Sequence, residues 1–154
     1  MATQKWIAGS GQGFTWGDAF STATLNSIVS GNAILSDVVI ANQTALDVYA
    51  DVSIALASAA FAGAGACIGV SLYPLNKDAS TYGDGKYGTS AAGPAAYLVG
   101  TIPLVAATQA QEGTLLGIVL PPGTFKFVLT NSGGIALASS GNTCQYRTYN
   151  FAVA

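Results

Sequence analysis

The feature that most constrains this chain is a repeated alternation of apolar and polar residues over short runs. In the run ALDVYADVSIALA at positions 45–57, apolar side chains hold the even positions and mainly polar ones hold the odd positions. Residues two apart share one face of a β-strand, so this period predicts a strand with one buried face. The runs TFKFVLTN at 124–131 and CQYRTYNFAV at 144–153 alternate in the same way. No run of useful length has the period of an amphipathic helix.

Further runs of this kind follow one another, with glycine, proline, asparagine, aspartate or serine between them. They are STATLNSIV at 21–29, AILSDVVIA at 33–41, IGVSL at 68–72, AYLVGTIPLVAAT at 96–108, TLLGIVLP at 114–121 and the short GIALAS at 134–139. Short strands separated by turn signals predict an all-β antiparallel sandwich or barrel, and we favour the antiparallel β-sandwich, with the jelly roll as its version. The length of 154 residues predicts one such domain, which we place at 20–154.

Residues 1–19 are predicted to form an extended N-terminal arm that holds the protein on a partner. The stretch GSGQG at 9–13 supplies flexible backbone, and Trp6, Phe14 and Trp16 flank it as large apolar anchors. Ordering such a segment costs about 1 to 2 kcal/mol of backbone entropy per residue, so it needs deep burial of these rings against a partner. In the alternative, Phe14 and Trp16 begin the first strand and only Trp6 belongs to a short tail.

An uncharged stretch at 52–76 has the length of a membrane span, but its internal pattern favours two strands joined by an apolar loop. The loop, ASAAFAGAGA at 57–66, is rich in alanine and glycine, which suits a connection. Its Phe61 is predicted to be covered by a neighbouring subunit, since an exposed ring there would form an adhesive patch. In the alternative, the loop folds back onto its own core. No membrane partner is predicted.

Charged residues are scarce, which limits the classes of partner. They make up 8% of the chain against a typical value of about 25%, and the net charge is −2. The five Lys and Arg residues are scattered, so the sequence predicts no nucleic-acid partner. Such a neutral surface must be covered by uncharged polar groups or buried against other chains, and it favours a homo-oligomer. The first residues lack a secretory pattern, which predicts synthesis in a cytoplasm without export.

The residue types needed for common catalytic and metal sites are missing or badly spaced. The chain has no histidine, which excludes Ser/His/Asp and Cys/His nucleophile systems within one chain. Asp47 and Asp51 share one strand face about 13 Å apart, and are interpreted as solvated charges on an outer face. Asp78 and Asp84 are interpreted as turn formers, not as a calcium loop. The sequence therefore predicts no enzyme, no cofactor and no metal.

Cys67 and Cys144 lie far apart with no CxxC spacing. The favoured interpretation of each is a small buried hydrophobic side chain, and a disulfide between them is the alternative.

Three segments in succession carry a family resemblance: SLYPLNKDASTYGDG at 71–85, YLVGTIPLVAAT at 97–108 and LPPGTFKFVLTNSGGIALASSGNTCQYRTYNFAV at 120–153. Together they resemble a group of virion proteins of tailed bacteriophages, from residue 45 to the C-terminus. The resemblance implies a jelly-roll head decoration, or cement, protein that binds the major capsid protein on the outer surface of the phage head. It also implies assembly as homotrimers. It brings no catalytic residues.

Two other classes of protein remain open at this stage. A carbohydrate-binding module would also be a β-sandwich without a catalytic site, and would use exposed aromatic rings as stacking platforms. Tyr82 and Tyr87, which flank GDGK, are the candidates for that role. A tail-associated or cell-surface structural subunit, polymerising through strand exchange, would have a similarly neutral composition and an N-terminal arm.

Overall fold

The computed structural model describes residues 4–9, 14–61, 63, 65–83 and 97–153. Over these residues the chain forms two five-stranded antiparallel sheets that pack against each other. The predicted all-β antiparallel sandwich is therefore confirmed. Two one-turn helices, α1 (Thr22–Leu25) and α2 (Asn42–Ala45), connect strands. No helix in this part of the chain has the length and apolar character to span a membrane.

The first sheet has the order β1-β10-β5-β8, with β2 also paired to β10. Its strands are β1 (Gln4–Ala8), β2 (Gly17–Asp18), β5 (Tyr49–Ala60), β8 (Thr108–Val119) and β10 (Thr143–Val153). The second sheet has the order β3-β9-β6-β7, with β4 also paired to β9. Its strands are β3 (Ala33–Leu35), β4 (Ile40–Ala41), β6 (Cys67–Pro74), β7 (Leu98–Pro103) and β9 (Thr124–Ser132).

The order of the strands is that of a jelly roll. Without the two-residue strands β2 and β4, each sheet keeps four strands. The chain passes from one sheet to the other between β1 and β3, β3 and β5, β5 and β6, β7 and β8, β8 and β9, and β9 and β10. This wrapping places β1 beside the last strand and β3 beside the second-last, the arrangement of two interlocked Greek keys.

The N-terminal residues belong to the first sheet. β1 pairs along its whole length with β10, with Trp6 opposite Phe151, and β2 pairs with the same strand through Gly17 and Asp18. The described part of residues 1–19 therefore lies on the sandwich of its own chain, where the sequence predicted an arm that extends beyond it. The cross-strand pair of aromatic side chains stabilises this edge strand in the sheet. Its role in holding a partner stays a prediction.

Two predicted strands have a different structure. Residues 22–25 form helix α1, because Ser21 caps it: the Ser21 hydroxyl accepts a hydrogen bond from the Thr24 backbone N–H, and Asp37 Oδ2 accepts from the Ser21 N–H. Residues 134–139 form no strand, and instead the Leu137 N–H donates to the Ile28 carbonyl across a loop. The runs at 124–131 and 144–153 are strands β9 and β10, as predicted.

The main hydrophobic core lies between the sheets. The inward residues of β5 and β6 alternate with outward ones, as the period of two requires. The core includes Val52, Ile54, Leu56, Ile68, Val70, Leu72, Phe125, Phe127, Leu129, Cys144 and Tyr146.

Part of the outer face of the second sheet is covered by other residues of the chain. Tyr73, Val128 and Ala33 form a smaller buried cluster, and Leu35, Tyr82 and Tyr97 pack over it. The backbone of Gly83 lies so close to the Tyr73 ring that a Cβ at this position would collide with it. The outer face of the first sheet carries large exposed apolar side chains, among them Trp6, Leu116 and Val119.

Candidate functional site

The outer face of the first sheet consists of rows of side chains set by strand register. Residues paired in an antiparallel sheet point to the same face, so each row can be followed across β10, β5 and β8. One row is Tyr149, Tyr49 and Val119, the next is Arg147, Asp51 and Leu116, and the next is Gln145, Ser53 and Thr114. The first two rows, together with Trp6 and Phe151, form what we call the aromatic face.

Trp6 contacts three other rings of the aromatic face. Its ring centroid is 5.8 Å from that of Tyr49, 5.3 Å from that of Tyr149 and 6.1 Å from that of Phe151, and each pair is close to perpendicular. Tyr49 and Tyr149 stack on each other at 5.7 Å. Edge-to-face pairs of this kind contribute about 0.5 to 1.5 kcal/mol each beyond burial. The rings are thus fixed by one another, although Trp6 remains 60% exposed.

Asp51 is buried on this outer face, at 2% exposure. Its Oδ1 accepts hydrogen bonds from the Gly117 N–H and the Tyr149 hydroxyl, both at 2.9 Å. Its Oδ2 accepts from Arg147 Nε at 2.9 Å and Nη2 at 2.8 Å. Burial, followed by the hydrogen bond to Asp51, raises the pKa of Tyr149, so the phenol keeps its proton and acts as the donor.

A β-bulge in β8 completes the environment of Asp51. Between the pairs Ala50–Ile118 and Val52–Leu115 the register shifts, so Leu116 and Gly117 both lie opposite Asp51. Gly117 has a φ of 68°, the left-handed conformation that glycine adopts without strain. The Gly117 N–H also donates to the Asp51 carboxylate. The neighbouring Leu116 is exposed on the sheet.

The prediction that Asp47 and Asp51 are solvated charges is wrong, because both side chains are buried. Asp51 does lie on the outer face of the sheet, but side chains from β8 and β10 cover it. Asp47 lies before β5, where its Oδ1 accepts a hydrogen bond from Asn150 Nδ2 and its N–H donates to Asn42 Oδ1. Each carboxylate thus joins chain segments that are distant in sequence.

Trp16 covers the arginine of the pair. The Cζ atom of Arg147 lies 4.6 Å from the Trp16 ring centroid, a cation–π arrangement. The pairing of Gly17 with Tyr146 brings Trp16 to this position. Phe14, half-exposed, stands nearby.

These side chains enclose a pocket of about 290 Å³, which we call the Arg147 pocket. It is lined by Trp6, Phe14, Asp51, Leu116, Arg147 and Tyr149. A second pocket of about 420 Å³ shares Trp6 with it and is lined by Lys5, Trp6, Tyr49 and Phe151. The Arg147 pocket therefore has apolar walls and an internally neutralised ion pair, a combination suited to binding and without a free nucleophile.

The structure brings three of the candidate site residues together and places a fourth, Phe61, elsewhere. Trp6, Phe14 and Trp16, singled out as anchors, meet at the Arg147 pocket or beside it. Phe61 does not: it is 4% exposed and belongs to the main core of its own chain. The expectation of a subunit cover over Phe61 is corrected to the alternative, a loop folded onto its own core. Gly133 makes room for the ring, since a Cβ there would lie 2.9 Å from Phe61 Cδ1.

Of the two aromatic residues proposed for sugar stacking, Tyr82 lies among the described residues. Tyr82 is half-buried on the second sheet, with Lys126 Nζ 5.4 Å from its ring centroid. Tyr87 and Asp84 lie outside the described residues. Asp78 forms a local turn, accepting hydrogen bonds from the Ser80 and Thr81 N–H groups, as a turn former does.

Both cysteines are free. Cys144 is buried in the core, where burial raises its pKa to about 12, and Cys67 is half-buried on the other sheet. Among the described residues, no group of three or more His, Cys, Asp or Glu side chains could hold a metal ion.

No protein-family model matches the chain, and no curated protein matches it.

Six members of the aromatic face were not identified by the sequence analysis: Tyr49, Leu116, Val119, Arg147, Tyr149 and Phe151. Tyr49 and Tyr149 did show a usable signal, since both are large aromatic residues at the outward positions of predicted strands. Leu116 gave none, because its exposure depends on the bulge between β5 and β8.

Proposed function

We propose that this protein is a structural virion protein that decorates the outside of a phage head, docking on the capsid through its aromatic face. The observation that carries the proposal is the exposed apolar surface of Trp6, Leu116, Val119 and Phe151 on a rigid sheet. Monomeric proteins rarely leave a continuous apolar patch of this kind in water without a binding role. A sheet face presents such residues without loss of backbone entropy on binding, which favours a preformed docking surface.

The composition of the aromatic face favours a protein partner. The cores of protein–protein interfaces are rich in Trp, Tyr, Phe and Arg and poor in Lys, Asp and Glu. The aromatic face has this composition, and its one acidic side chain, Asp51, is already paired with Arg147. A nucleic acid would instead require clustered unpaired cations.

The residues that carry the resemblance to tailed-phage virion proteins also build this face. The motif RTYN at 147–150 supplies Arg147 and Tyr149 to the outer surface and Asn150 to the Asp47 contact. The motif PPG at 121–123 precedes β9 and follows the exposed end of β8 at Val119. The proposed partners are accordingly the major capsid protein and further copies of this chain as a homotrimer on the outer surface of the head.

The docking test uses phage heads assembled from a major capsid protein in the absence of decoration protein, with the capsid protein taken from the source of this chain. We expect the wild-type chain to sediment with these heads, and cryo-EM maps to show it on their outer surface. Leu116→Asp and Val119→Asp place a charge at positions that are 64% and 65% exposed, so folding should be unaffected while binding is lost.

The matched control for these variants is Val105→Asp. Val105 is 62% exposed and lies in the turn between β7 and β8, away from the aromatic face. The control should decorate the heads as the wild type does. Equal binding by all three aspartate variants would contradict docking through the aromatic face, and the absence of wild-type binding would contradict the capsid as partner.

A further inference from the structure

We propose that the Arg147 pocket receives a single neutral aromatic side chain, of Trp, Tyr or Phe, projected by the protein partner. The proposal deepens the proposed function and rests on it for the identity of the partner. It concerns one location within the aromatic face, where the sheet is indented instead of flat.

The size of the pocket suits one ring. Clefts that hold whole small-molecule ligands have volumes of roughly 300 to 1,000 Å³. The Arg147 pocket, at about 290 Å³, lies at the lower limit of that range. It is therefore large enough for one aromatic side chain and too small for an extended ligand or a helix.

The floor of the pocket presents the guanidinium of Arg147 in a fixed orientation. The Arg147 Cζ atom lies over the Trp16 ring, and Asp51 accepts hydrogen bonds from its Nε and Nη2 atoms. Arg147 also lines the pocket, so part of the guanidinium is open to a ligand there. A flat aromatic ring is the complementary shape, because arginine stacks on aromatic faces.

The charge of the site favours a neutral occupant. Asp51 neutralises Arg147 at 2.8 Å, so a carboxylate or phosphate would meet a cation that is already paired, beside a buried anion. An ammonium group would meet the same arginine. Either ion would lose its hydration with little compensating attraction.

The polar groups of the site also weigh against a sugar. Asp51 already accepts four hydrogen bonds, and the Tyr149 hydroxyl donates to it. Besides Asp51, the pocket offers the hydroxyls of a ligand the outer N–H groups of Arg147, the indole N–H of Trp6 and the Tyr149 oxygen as an acceptor. These are fewer than the hydroxyl groups of a pyranose can use. A pyranose would bury hydroxyl groups without partners, at a cost of roughly 1 to 3 kcal/mol each, whereas the ring of Phe would bury none.

The test uses the full chain and small probes in an NMR titration. The probes are indole and p-cresol, which stand for the side chains of Trp and Tyr, together with methyl glucopyranoside and acetate. We expect indole and p-cresol to shift the Arg147 Nε–H and Trp16 indole N–H signals in a saturable way at millimolar concentration. The glucoside and acetate should leave both signals in place.

Two variants separate occupancy of the pocket from adhesion elsewhere. Leu116→Trp should fill the pocket from its rim and weaken indole binding about tenfold or more. Val119→Trp is the matched control, because Val119 has the same exposure on the same strand but does not line the pocket. Both positions face solvent, so both variants should have the melting temperature of the wild type.

The proposal is overturned by the absence of saturable indole shifts, by equal indole affinity in Leu116→Trp and wild type, or by tighter binding of the glucoside. The last result would instead identify a glycan site. If the aspartate variants lose capsid binding while indole leaves the pocket empty, the pocket proposal alone fails. If indole binds in the pocket while the wild-type chain does not bind capsids, the pocket proposal is supported and the capsid is excluded as the partner.

Discussion

Asp51 and Arg147 face each other in register on β5 and β10, and their side chains form an ion pair with Arg147 Nη2 2.8 Å from Asp51 Oδ2. The pair lies on the outer face of a sheet, yet Asp51 is buried, because Arg147, Tyr149 and the bulge at Gly117 surround it. Its neutralised charge lets apolar rings pack around it. The pair therefore organises the aromatic face and the pocket within it.

Loss of the arginine should destabilise the fold. Arg147→Met keeps the length of the side chain but leaves Asp51 without its cation and with two fewer hydrogen bonds. Removal of one partner of a buried pair costs about 3 to 5 kcal/mol, and we expect the lower end because the Arg147 side chain is 30% exposed. Urea unfolding measures the change. The double variant Asp51→Asn/Arg147→Met should recover part of the loss, and a loss in the double variant equal to the sum of the single losses would contradict coupling between the two residues.

The bulge makes Gly117 hard to replace. Gly117→Ala forces a side chain into a φ of 68°, which costs about 1 to 2 kcal/mol although nothing lies within 4 Å of the new Cβ. Gly69→Ala is the control, since its Cβ would make ordinary contacts at 3.5 Å. Urea unfolding of the two variants should show a loss for Gly117→Ala only. Equal stabilities would mean that the bulge conformation carries no strain for alanine.

The architecture of this protein is predictable from the period of two, because alternation and turn residues are local signals. The strands β5, β9 and β10 follow directly from it. Helix α1 was missed because its stability comes from a cap and from Asp37, which lies outside the run. Residue types such as Thr and Ile in STATLNSIV favour a strand, and the tertiary contact overrides that preference.

The site was predictable only in part. Large aromatic residues in a charge-poor N-terminal segment identified Trp6, Phe14 and Trp16, which the structure brings to one place. The burial of Asp51 and the exposure of Leu116 depend on how β5 pairs with β8, a contact between residues far apart in sequence. Strand register of this kind is not visible in the alternation of a single run.

Two phenylalanines that the sequence treated alike should behave differently. Phe61→Ala removes a buried ring and should cost about 3 to 5 kcal/mol of unfolding free energy. Phe14→Ala removes a half-exposed ring at the pocket rim and should cost less than about 1 kcal/mol. Thermal and urea unfolding of both variants measure this contrast. Similar losses would contradict either the burial of Phe61 or the exposed position of Phe14.

The buried thiol of Cys144 should make stability fall at high pH. Burial raises its pKa from 9.0 to about 12, so the folded state holds the proton in a range where the unfolded chain releases it. The contribution of the protonated thiol to the unfolding free energy is complete below pH 9.0 and is lost as the pH rises towards about 12. Cys144→Ala should flatten this part of the curve of unfolding free energy against pH, while the slope from the tyrosines remains. An unchanged slope would show that the thiol does not contribute.

Removal of β1 should weaken the isolated chain. A chain without residues 1–8 loses the five pairings of β1 with β10 and the three ring contacts of Trp6. It also exposes the edge of β10 beside Tyr149 and Phe151, and an unpaired apolar edge promotes association between chains. We expect a loss of about 2 kcal/mol, which for a chain of this size lowers the melting temperature by roughly 4 to 8 °C, together with larger particles in light scattering. Trp6→Ala serves as the control: it keeps the backbone pairing, so its melting temperature should fall less and it should stay dispersed. A truncated chain with the same melting temperature as the full-length protein would instead favour a free arm that does not pair in the sheet.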